Sequence, residues 1–255
     1  GDIRRGVGMA LFSYKTGVWP ISLEIAGARL SLNQDGSVQL QVGATEIGQG
    51  ADTVFSQMAA ETLHMDISRV HIVTQQDTDV TPFDTGAYAS RQSFVTGTAV
   101  KECAQQLKQK ILEYARTLVP GNVDRLELED GYILADGKPA ISLEDLAMES
   151  YYSLSNSSVL TAEVSRQVKK NTVASGCCFA EVEVDMKLGK IKVLDIVNVH
   201  DSGTLLNPQL AAMQVHGGMF MGIGYGVSEQ LLIDEKTGRP LNGTLLDYKM
   251  MTMMD

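Results

Sequence analysis

Apolar and polar residues alternate along the chain in two hairpin patterns, and each pattern runs into a glycine-containing loop and then a helix. Alternation with a period of two is typical of strands that bury one face, whereas apolar residues three and four positions apart are typical of a helix face. The segments that carry these patterns are a hairpin over residues 28–42 and a helix over 51–64, then a hairpin formed by 178–184 and 191–199 and a helix that begins at Pro208.

One long amphipathic helix is predicted between these two arrangements. Its apolar residues recur at helical spacing over residues 97–119, and Pro120-Gly121 ends the pattern. The other predicted segments are a strand at 70–73, short strands near Leu126 and Tyr132, a short helix capped by Ser142 with Asp145, and a polar, irregular linker over 151–175. We therefore expect an α+β fold with two related subdomains, each a mixed β-sheet with packed helices. Residues 20–165 would form the first subdomain, and residues 1–19 with 166–255 the second.

The helix that begins at Pro208 is unusual, because five glycines lie between residues 217 and 226 and apolar residues cover all of its sides. Glycine costs up to about 1 kcal/mol relative to alanine inside a helix. An all-round apolar helix is expected to be buried, and its glycines then permit close backbone contact with a sheet or a ligand. We therefore expect Gln214 in this helix to be a buried amide that needs hydrogen-bond partners.

The chain has 255 residues and a formal net charge of −10, from 21 basic and 31 acidic side chains. This charge argues against a nucleic-acid partner. No apolar run reaches the length of a membrane span and no signal peptide is evident, so we expect a cytoplasmic protein without a membrane partner. The chain begins without an initiator methionine, and we expect it to be a fragment of a longer polypeptide.

No metal-ligand spacing is evident among the three cysteines and the four histidines, and we expect no metal bound directly by protein side chains. The segment 43–50 nearly matches a phosphate-binding P-loop, but Gln49 and Gly50 occupy the positions of the required Lys and Ser or Thr, which excludes a P-loop nucleoside triphosphatase. The segment still places a turn before a helix N-terminus, which would suit a phosphate or a polar ring edge. A calcium loop is excluded because Pro82 stands where glycine is needed, so we interpret Asp84 as a turn residue.

Three glycine-punctuated stretches, each beside a predicted helix, suggest one long polyanionic ligand that is held at several points by amides and short side chains. Together they resemble the molybdopterin-binding part of the molybdenum hydroxylases, the family of xanthine dehydrogenase and aldehyde oxidase. The match is most similar to bacterial molybdenum-binding subunits of xanthine dehydrogenases. The stretches are Thr45-Glu46-Ile47-Gly48-Gln49-Gly50 with Thr53 and 57–61, Asp84-Thr85-Gly86-Ala87-Tyr88-Ala89-Ser90-Arg91 with Gly97, and Asp201-Ser202-Gly203 with Asn207-Pro208, Gln214 and Gly217-Gly218.

The resemblance implies a molybdopterin cofactor with molybdenum, in the cytosine dinucleotide form that is common in bacterial members. It implies an enzyme that hydroxylates purines such as xanthine or hypoxanthine, or related N-heterocycles, with water as the oxygen source. The pterin dithiolene would hold the metal. Gln49 would be the catalytic-site residue, near the molybdenum oxo group, and because it lies in a turn we expect the fold not to need its amide. The residues implied to bind the cofactor are Gly48, Gln49, Gly50, Ala87, Tyr88, Ser90, Arg91, Ser93, Gly97 and Gln214.

The same resemblance implies partner subunits, and it shows where this sequence departs from the family. Iron–sulfur clusters and FAD are implied on other domains or subunits of an oligomeric complex. Met213 stands where the family usually has glycine, and the Gly-Glu-Pro segment that carries the family's base Glu is absent. We therefore expect a second subdomain truncated at its C-terminus and a chain that is inactive alone. The alternatives are an aldehyde- or carbon monoxide-oxidising family member and, from another class, a non-catalytic nucleotide-binding or assembly module.

Overall fold

The computed structural model describes residues 1–254, and the chain divides into two compact units. One unit comprises residues 15–172, and the other comprises residues 1–14 with the chain from Val173 onward. The predicted boundaries of the first subdomain, residues 20–165, stay a prediction. The elements in chain order are β1 (Ile3–Lys15), β2 (Ile25–Leu32), β3 (Val38–Val42), α1 (Ala51–Leu63), a single 3-10 turn (Ile67–Arg69), β4 (Val70–Ile72), α2 (Gln92–Leu118), β5 (Leu126–Glu129), β6 (Tyr132–Ala135), β7 (Lys138–Ser142), α3 (Leu143–Tyr152), β8 (Thr161–Gln167), β9 (Val173–Asp185), β10 (Lys190–Asp201) and α4 (Pro208–Val227).

The unit of residues 15–172 is built on a four-stranded sheet in the order β4-β3-β2-β8. The predicted first hairpin is confirmed, since β2 and β3 pair antiparallel with Leu30 opposite Leu40 and Leu32 opposite Val38. These apolar pairs lie on one face and are fully buried. In the connecting turn, Gly36 has φ 74, a backbone region that favours glycine.

Helices α1 and α2 pack against each other, and α2 also packs against β2 and β8. Every buried apolar side chain among the described residues lies between Ala26 and Val168, so the core belongs to this unit. The predicted start of α2 at Gly97 is wrong by five residues, because the helix begins at Gln92. Gly97 is an interior residue whose missing side chain makes room for Met58 of α1: a Cβ there would lie 2.6 Å from Met58 Cε.

A small antiparallel sheet, β5-β6-β7, leads into α3. The predicted cap is confirmed, since Ser142 Oγ accepts a hydrogen bond from the Asp145 backbone N–H at 3.0 Å. The predicted linker over 151–175 is wrong in part, because β8 lies within it. Ala162 and Val164 of β8 are buried and alternate with polar residues, a strand signal that the polar composition of the segment conceals.

The other unit contains the three-stranded sheet β1-β9-β10 and α4. The second predicted hairpin is confirmed and is longer than expected, whereas no element was predicted for β1. Helix α4 is confirmed, with Asn207 Oδ1 accepting from the Leu210 backbone N–H at 3.0 Å. The expectation that this helix is buried is wrong within residues 1–254, since Gly224 is its single buried residue. The apolar composition of this helix is typical of a buried helix, but it does not identify the segment that would bury it.

Three small sheets and four α-helices make up the described structure, and the predicted α+β class is confirmed. None of the helices within residues 1–254 is both long and apolar enough to cross a lipid bilayer. The unit of residues 15–172 carries nine of the ten predicted cofactor-binding residues, and Gln214 lies in the other unit.

Candidate cofactor site

The half-buried side chain of Glu46 binds the backbone amides at the N-terminus of α1. Its carboxylate accepts hydrogen bonds from the backbone N–H groups of Gly48 at 2.7 Å, Gly50 at 3.0 Å and Asp52 at 3.1 Å. Burial opposes ionisation of this carboxyl, but the backbone hydrogen bonds outweigh it and lower the pKa of Glu46. The amides that we expected to suit a phosphate at this helix N-terminus are therefore already bonded to an internal anion.

Asp52, in the first turn of α1, is the counterpart of Glu46. Burial raises the pKa of Asp52, and the nearby Glu46 carboxylate raises it further. Its Oδ1 atom is buried and has no hydrogen-bond partner within residues 1–254. The helix start thus pairs a carboxylate that is stabilised as the anion with a carboxyl that is shifted toward the neutral acid.

The side chain of Gln49 is bonded on both sides of its amide. Its Oε1 accepts from the Ile47 backbone N–H at 2.7 Å, while its Nε2 donates to Thr45 O at 3.0 Å and to Gln92 Oε1 at 2.5 Å. These three hydrogen bonds argue against the expectation that the fold does not need this amide. Beside it, Gly48 has φ 103, and no atom of residues 1–254 lies within 4 Å of where its Cβ would be, so the space over the loop is open.

Gln92 connects this loop to the second predicted stretch. It is the first residue of α2, is buried, and donates through Nε2 to Thr45 O at 3.1 Å. Together with the bond from Gln49, this contact brings residues 45–50 and residues 84–93 to one place. Two of the three predicted stretches are therefore adjacent in space.

The second stretch has an inward-facing part. Arg91 is completely buried and forms ion pairs with Glu24 and Asp84. The interpretation of Asp84 as a turn residue is incomplete, because its side chain is also a buried ion-pair partner. Tyr88 is 38% exposed and lies with its ring centroid 5.5 Å from Arg91 Cζ.

Other residues of the second stretch are exposed or half-buried. Ala89 and Ser90 have φ 49 and φ 53, a left-handed conformation that residues other than glycine adopt rarely. Ser90 and Ser93 are exposed, and Ala87 is half-buried. The Thr85 hydroxyl is buried without a hydrogen-bond partner in the described part of the chain. The loop thus presents hydroxyl and amide groups, with no lysine among residues 84–93.

Two of the predicted residues lie on helices, Gly97 on α2 and Gln214 on α4 of the other unit. Gly97 is buried on α2 against Met58. Gln214 is exposed on α4, where it lines an apolar cavity of about 630 Å³ together with residues of β9 and β10. The expectation of a buried amide at Gln214 is therefore wrong within residues 1–254.

Sequence reasoning missed Glu24, Gln92 and the structural part of Asp84. Glu24 had a signal, since it is the single charged residue in the largely apolar segment of residues 18–28, and such a residue needs a partner when it is buried. Asp84 begins the quoted stretch, and its ion-pair partner Arg91 lies seven residues on in the same loop. Gln92 follows directly after the stretch, but its partners Thr45 and Gln49 lie 47 and 43 residues away in sequence, and no local pattern could identify those contacts.

Comparison with known proteins identifies the family to which the chain is similar. The model of the molybdopterin cofactor-binding domain matches residues 1–255. A xanthine dehydrogenase molybdenum-binding subunit of Escherichia coli O157:H7 is 51% identical over 258 residues, which cover 100% of this chain and 34% of that protein. A protein named "probable hypoxanthine oxidase" from Escherichia coli K12 is 32% identical over 248 residues, which cover 97% of this chain and 25% of that protein.

A solved structure agrees with the fold. Quinoline 2-oxidoreductase from Pseudomonas putida 86 superposes with a TM-score of 0.86 at 24% identity, over 100% of this chain and 34% of that chain. The chain thus spans about a third of the length of the first of these relatives. Since the family model covers the whole sequence, the chain belongs to the molybdopterin cofactor-binding domain family of the molybdenum hydroxylases.

Proposed function

We propose that this chain is the cofactor-binding part of a molybdenum hydroxylase that oxidises xanthine, hypoxanthine or a related N-heterocycle. The observation that supports the proposal most is the contact between Gln49 and Gln92, because it brings two predicted cofactor-binding stretches together. The 51% identity to a xanthine dehydrogenase subunit supports the purine class. The overall reaction would convert a substrate C–H and a water into C–OH, with release of two electrons and two protons.

The residues present fit a molybdopterin dinucleotide. Within residues 1–254 the buried hydroxyl of Thr85 lacks a hydrogen-bond partner, which a ligand would supply, and the open space over Gly48 leaves room for that ligand. Hydroxyl and amide groups at Ser90 and Ser93 suit phosphate oxygens without a basic side chain. When bound, the cofactor supplies a molybdenum ion, held by its own sulfurs, that accepts two electrons from the substrate.

Gln49 would bind and orient the ligand by exchanging one of its hydrogen-bond partners. Both hydrogens of its Nε2 are used, one by Thr45 O and one by Gln92 Oε1. Release of Gln92 would free one hydrogen for the ligand, while the bonds to Thr45 and Ile47 would keep the loop in place. The side chain would thus be oriented in advance, which lowers the entropy lost on binding.

Partner subunits follow from the electron balance. The two electrons need acceptors, and we propose iron–sulfur and FAD subunits of a cytoplasmic complex. We also propose that residues 1–255 do not turn over alone, because the base Glu of the family's Gly-Glu-Pro segment is not in this sequence. Steady product formation by the purified 255-residue chain, given xanthine and an artificial electron acceptor, would refute this second statement.

The test of the main proposal uses the full-length enzyme from cells supplied with molybdate. Metal analysis and mass spectrometry of the released cofactor are expected to show molybdenum and a pterin cytosine dinucleotide. Turnover is then compared for xanthine, hypoxanthine, an aldehyde and carbon monoxide, with protein from tungstate-grown cells as control. Oxygen from labelled water is expected in the purine product.

The same experiment separates the alternatives. If only an aldehyde or carbon monoxide is turned over, the proposed purine substrate is wrong, but the assignment to the molybdenum hydroxylase family is retained. A protein that contains neither molybdenum nor pterin but binds ATP would favour the non-catalytic nucleotide-binding or assembly module.

A further inference from the structure

Three ionisable side chains form a buried cluster beside the loop of residues 84–91. Arg91 is 0% exposed, Glu24 is 1% exposed and the side chain of Asp84 is 0% exposed. Arg91 donates through Nε to Glu24 Oε2 at 2.5 Å and through Nη1 to Asp84 Oδ1 at 2.5 Å. Hydrogen bonds between charged partners are stronger than neutral ones, and a buried charge needs them.

The cluster also holds separate pieces of backbone. Arg91 donates through Nη1 to Gly86 O at 2.9 Å and through Nη2 to Ile25 O at 2.8 Å. Glu24 uses its second oxygen, Oε1, to accept from the Val18 backbone N–H at 2.5 Å. One guanidinium and one carboxylate thus join the segment of residues 18–25 to the loop.

A direct backbone bond supports the same arrangement. The Gly17 N–H donates to Ala89 O at 2.8 Å. Gly17 has φ 80, and a Cβ there would lie 2.9 Å from Glu24 Oε1, so the close approach depends on glycine. Ala89 and Ser90 hold their left-handed conformation immediately before Arg91, where the fixed guanidinium restricts the chain.

We propose that Glu24 and Arg91 are positioning residues, whose buried ion pair holds residues 84–91 in the conformation that binds the cofactor while neither side chain contacts it. This inference rests on the proposed function, because the cofactor at this loop is itself proposed. It changes the role of Arg91, which the sequence resemblance implied to be a cofactor contact. Four of the five N–H groups of Arg91 donate to protein acceptors and the side chain is buried, so a phosphate that used those groups would have to replace these bonds.

The test uses the full-length enzyme with Glu24→Gln, Arg91→Lys and the double variant. Glu24→Gln keeps the shape and removes the charge, and Arg91→Lys keeps the charge and removes the planar fork. Glu163→Gln is the matched control, because it breaks the Arg29–Glu163 ion pair of the same unit, whose side chains are 35% and 55% exposed. The measurements are the rate of molybdenum loss from purified protein and backbone hydrogen exchange of residues 84–91 compared with α3.

Each single substitution is expected to speed molybdenum loss about tenfold, the effect of losing one charged hydrogen bond. The double variant should lose molybdenum no faster than the more affected single variant, because the two residues act as a pair. Exchange should rise in residues 84–91 and stay unchanged in α3, whereas general destabilisation would raise both. Turnover per bound molybdenum in Glu24→Gln should stay that of the wild type.

Two results would overturn the proposal. One is fast molybdenum loss in Arg91→Lys with wild-type behaviour in Glu24→Gln, since Arg91 would then act on the cofactor by itself. The other is an unchanged exchange rate in the loop of both variants. If Arg91→Lys does not fold, Thr96→Val replaces it, because this variant removes only the hydroxyl that donates to Asp84 Oδ2 at 2.7 Å.

The exchange measurement also separates this proposal from the proposed function. The exchange is measured on full-length protein from which the cofactor has been removed, so it reports on the loop itself. Wild-type protein without molybdenum or pterin would contradict the proposed function, whereas unchanged loop exchange would contradict the role of Glu24 and Arg91 alone.

Discussion

The side-chain amides of Gln49 and Gln92 are joined by a hydrogen bond of 2.5 Å, and both donate through Nε2 to the carbonyl of Thr45. One carbonyl oxygen therefore fixes two amides that come from different predicted cofactor stretches. Gln92 also competes with any ligand for a hydrogen of Gln49. The pair links the stability of the loop to the availability of its predicted catalytic-site residue.

Substitution of the two glutamines should separate these effects. Gln49→Ala in the full-length enzyme removes three hydrogen bonds of a half-buried side chain and should lower stability by about 1–2 kcal/mol, with a large loss of turnover. Gln92→Ala should lower stability by a similar amount but retain more turnover, because Gln49 keeps its bonds to Ile47 and Thr45. Thermal melts and initial rates measure both effects, with Gln109→Ala on the exposed side of α2 as control. Equal turnover losses in the two variants would contradict a special role of Gln49.

Local sequence patterns predicted those parts of the fold that depend on neighbouring residues. The hairpin of β2 and β3 is recognisable because its turn and both apolar faces lie within residues 28–42. The cap at Ser142 requires contact only with Asp145, three residues on. The start of α2 was missed because Gly97 reads as a helix boundary until the contact with Met58 is known.

The candidate site shows the same limit. The resemblance selected Gln49 and the stretch at residues 84–93, and the structure brings them together. The pairing of Arg91 with Glu24 could not be inferred in this way, since Glu24 lies 67 residues away in sequence. The contacts of Glu46 could not be inferred either, because the sequence does not indicate whether a carboxylate before a glycine turn faces the helix or the solvent.

The Glu46 carboxylate should make the stability of the unit of residues 15–172 depend on pH. Its pKa is lowered from the ordinary value of 4.5 by backbone hydrogen bonds, so its stabilising effect is present above that value and is lost as the pH falls through the lowered pKa. Glu46→Gln should therefore be less stable than the wild type by about 1 kcal/mol near neutral pH, the typical effect of a helix cap. The difference should disappear in acid. Thermal melts of both proteins over this pH range measure it, and a difference that does not depend on pH would contradict the role of the charge.

Cys103 should be unreactive in the folded protein. It is fully buried, its Sγ donates to Ala162 O at 3.2 Å, and burial raises the pKa of its thiol from 9.0 to about 11. At mildly alkaline pH it should hold about a hundredfold less thiolate than an ordinary cysteine, and alkylation needs the thiolate. Peptide-resolved mass spectrometry after iodoacetamide treatment should find Cys103 unmodified in native protein and modified in concentrated urea. The half-buried Cys177 and Cys178 are the internal comparison, and rapid native labelling of Cys103 would contradict this burial.

Gly97 and Met58 should be coupled if packing explains the glycine. Alanine is favoured over glycine inside a helix by about 1 kcal/mol, but its Cβ would lie 2.6 Å from Met58 Cε and 2.7 Å from Met58 Sδ. Gly97→Ala should therefore be neutral or destabilising in the wild type, because Met58 must move, and stabilising by about 0.5–1 kcal/mol in a Met58→Ala background, where the helix preference is no longer opposed. Denaturant melts of the four proteins in this cycle measure the coupling. Molybdenum content tests the alternative that Gly97 contacts the cofactor, as the resemblance implied. In that case Gly97→Ala will lower molybdenum content equally in both backgrounds, and the melts will show no coupling.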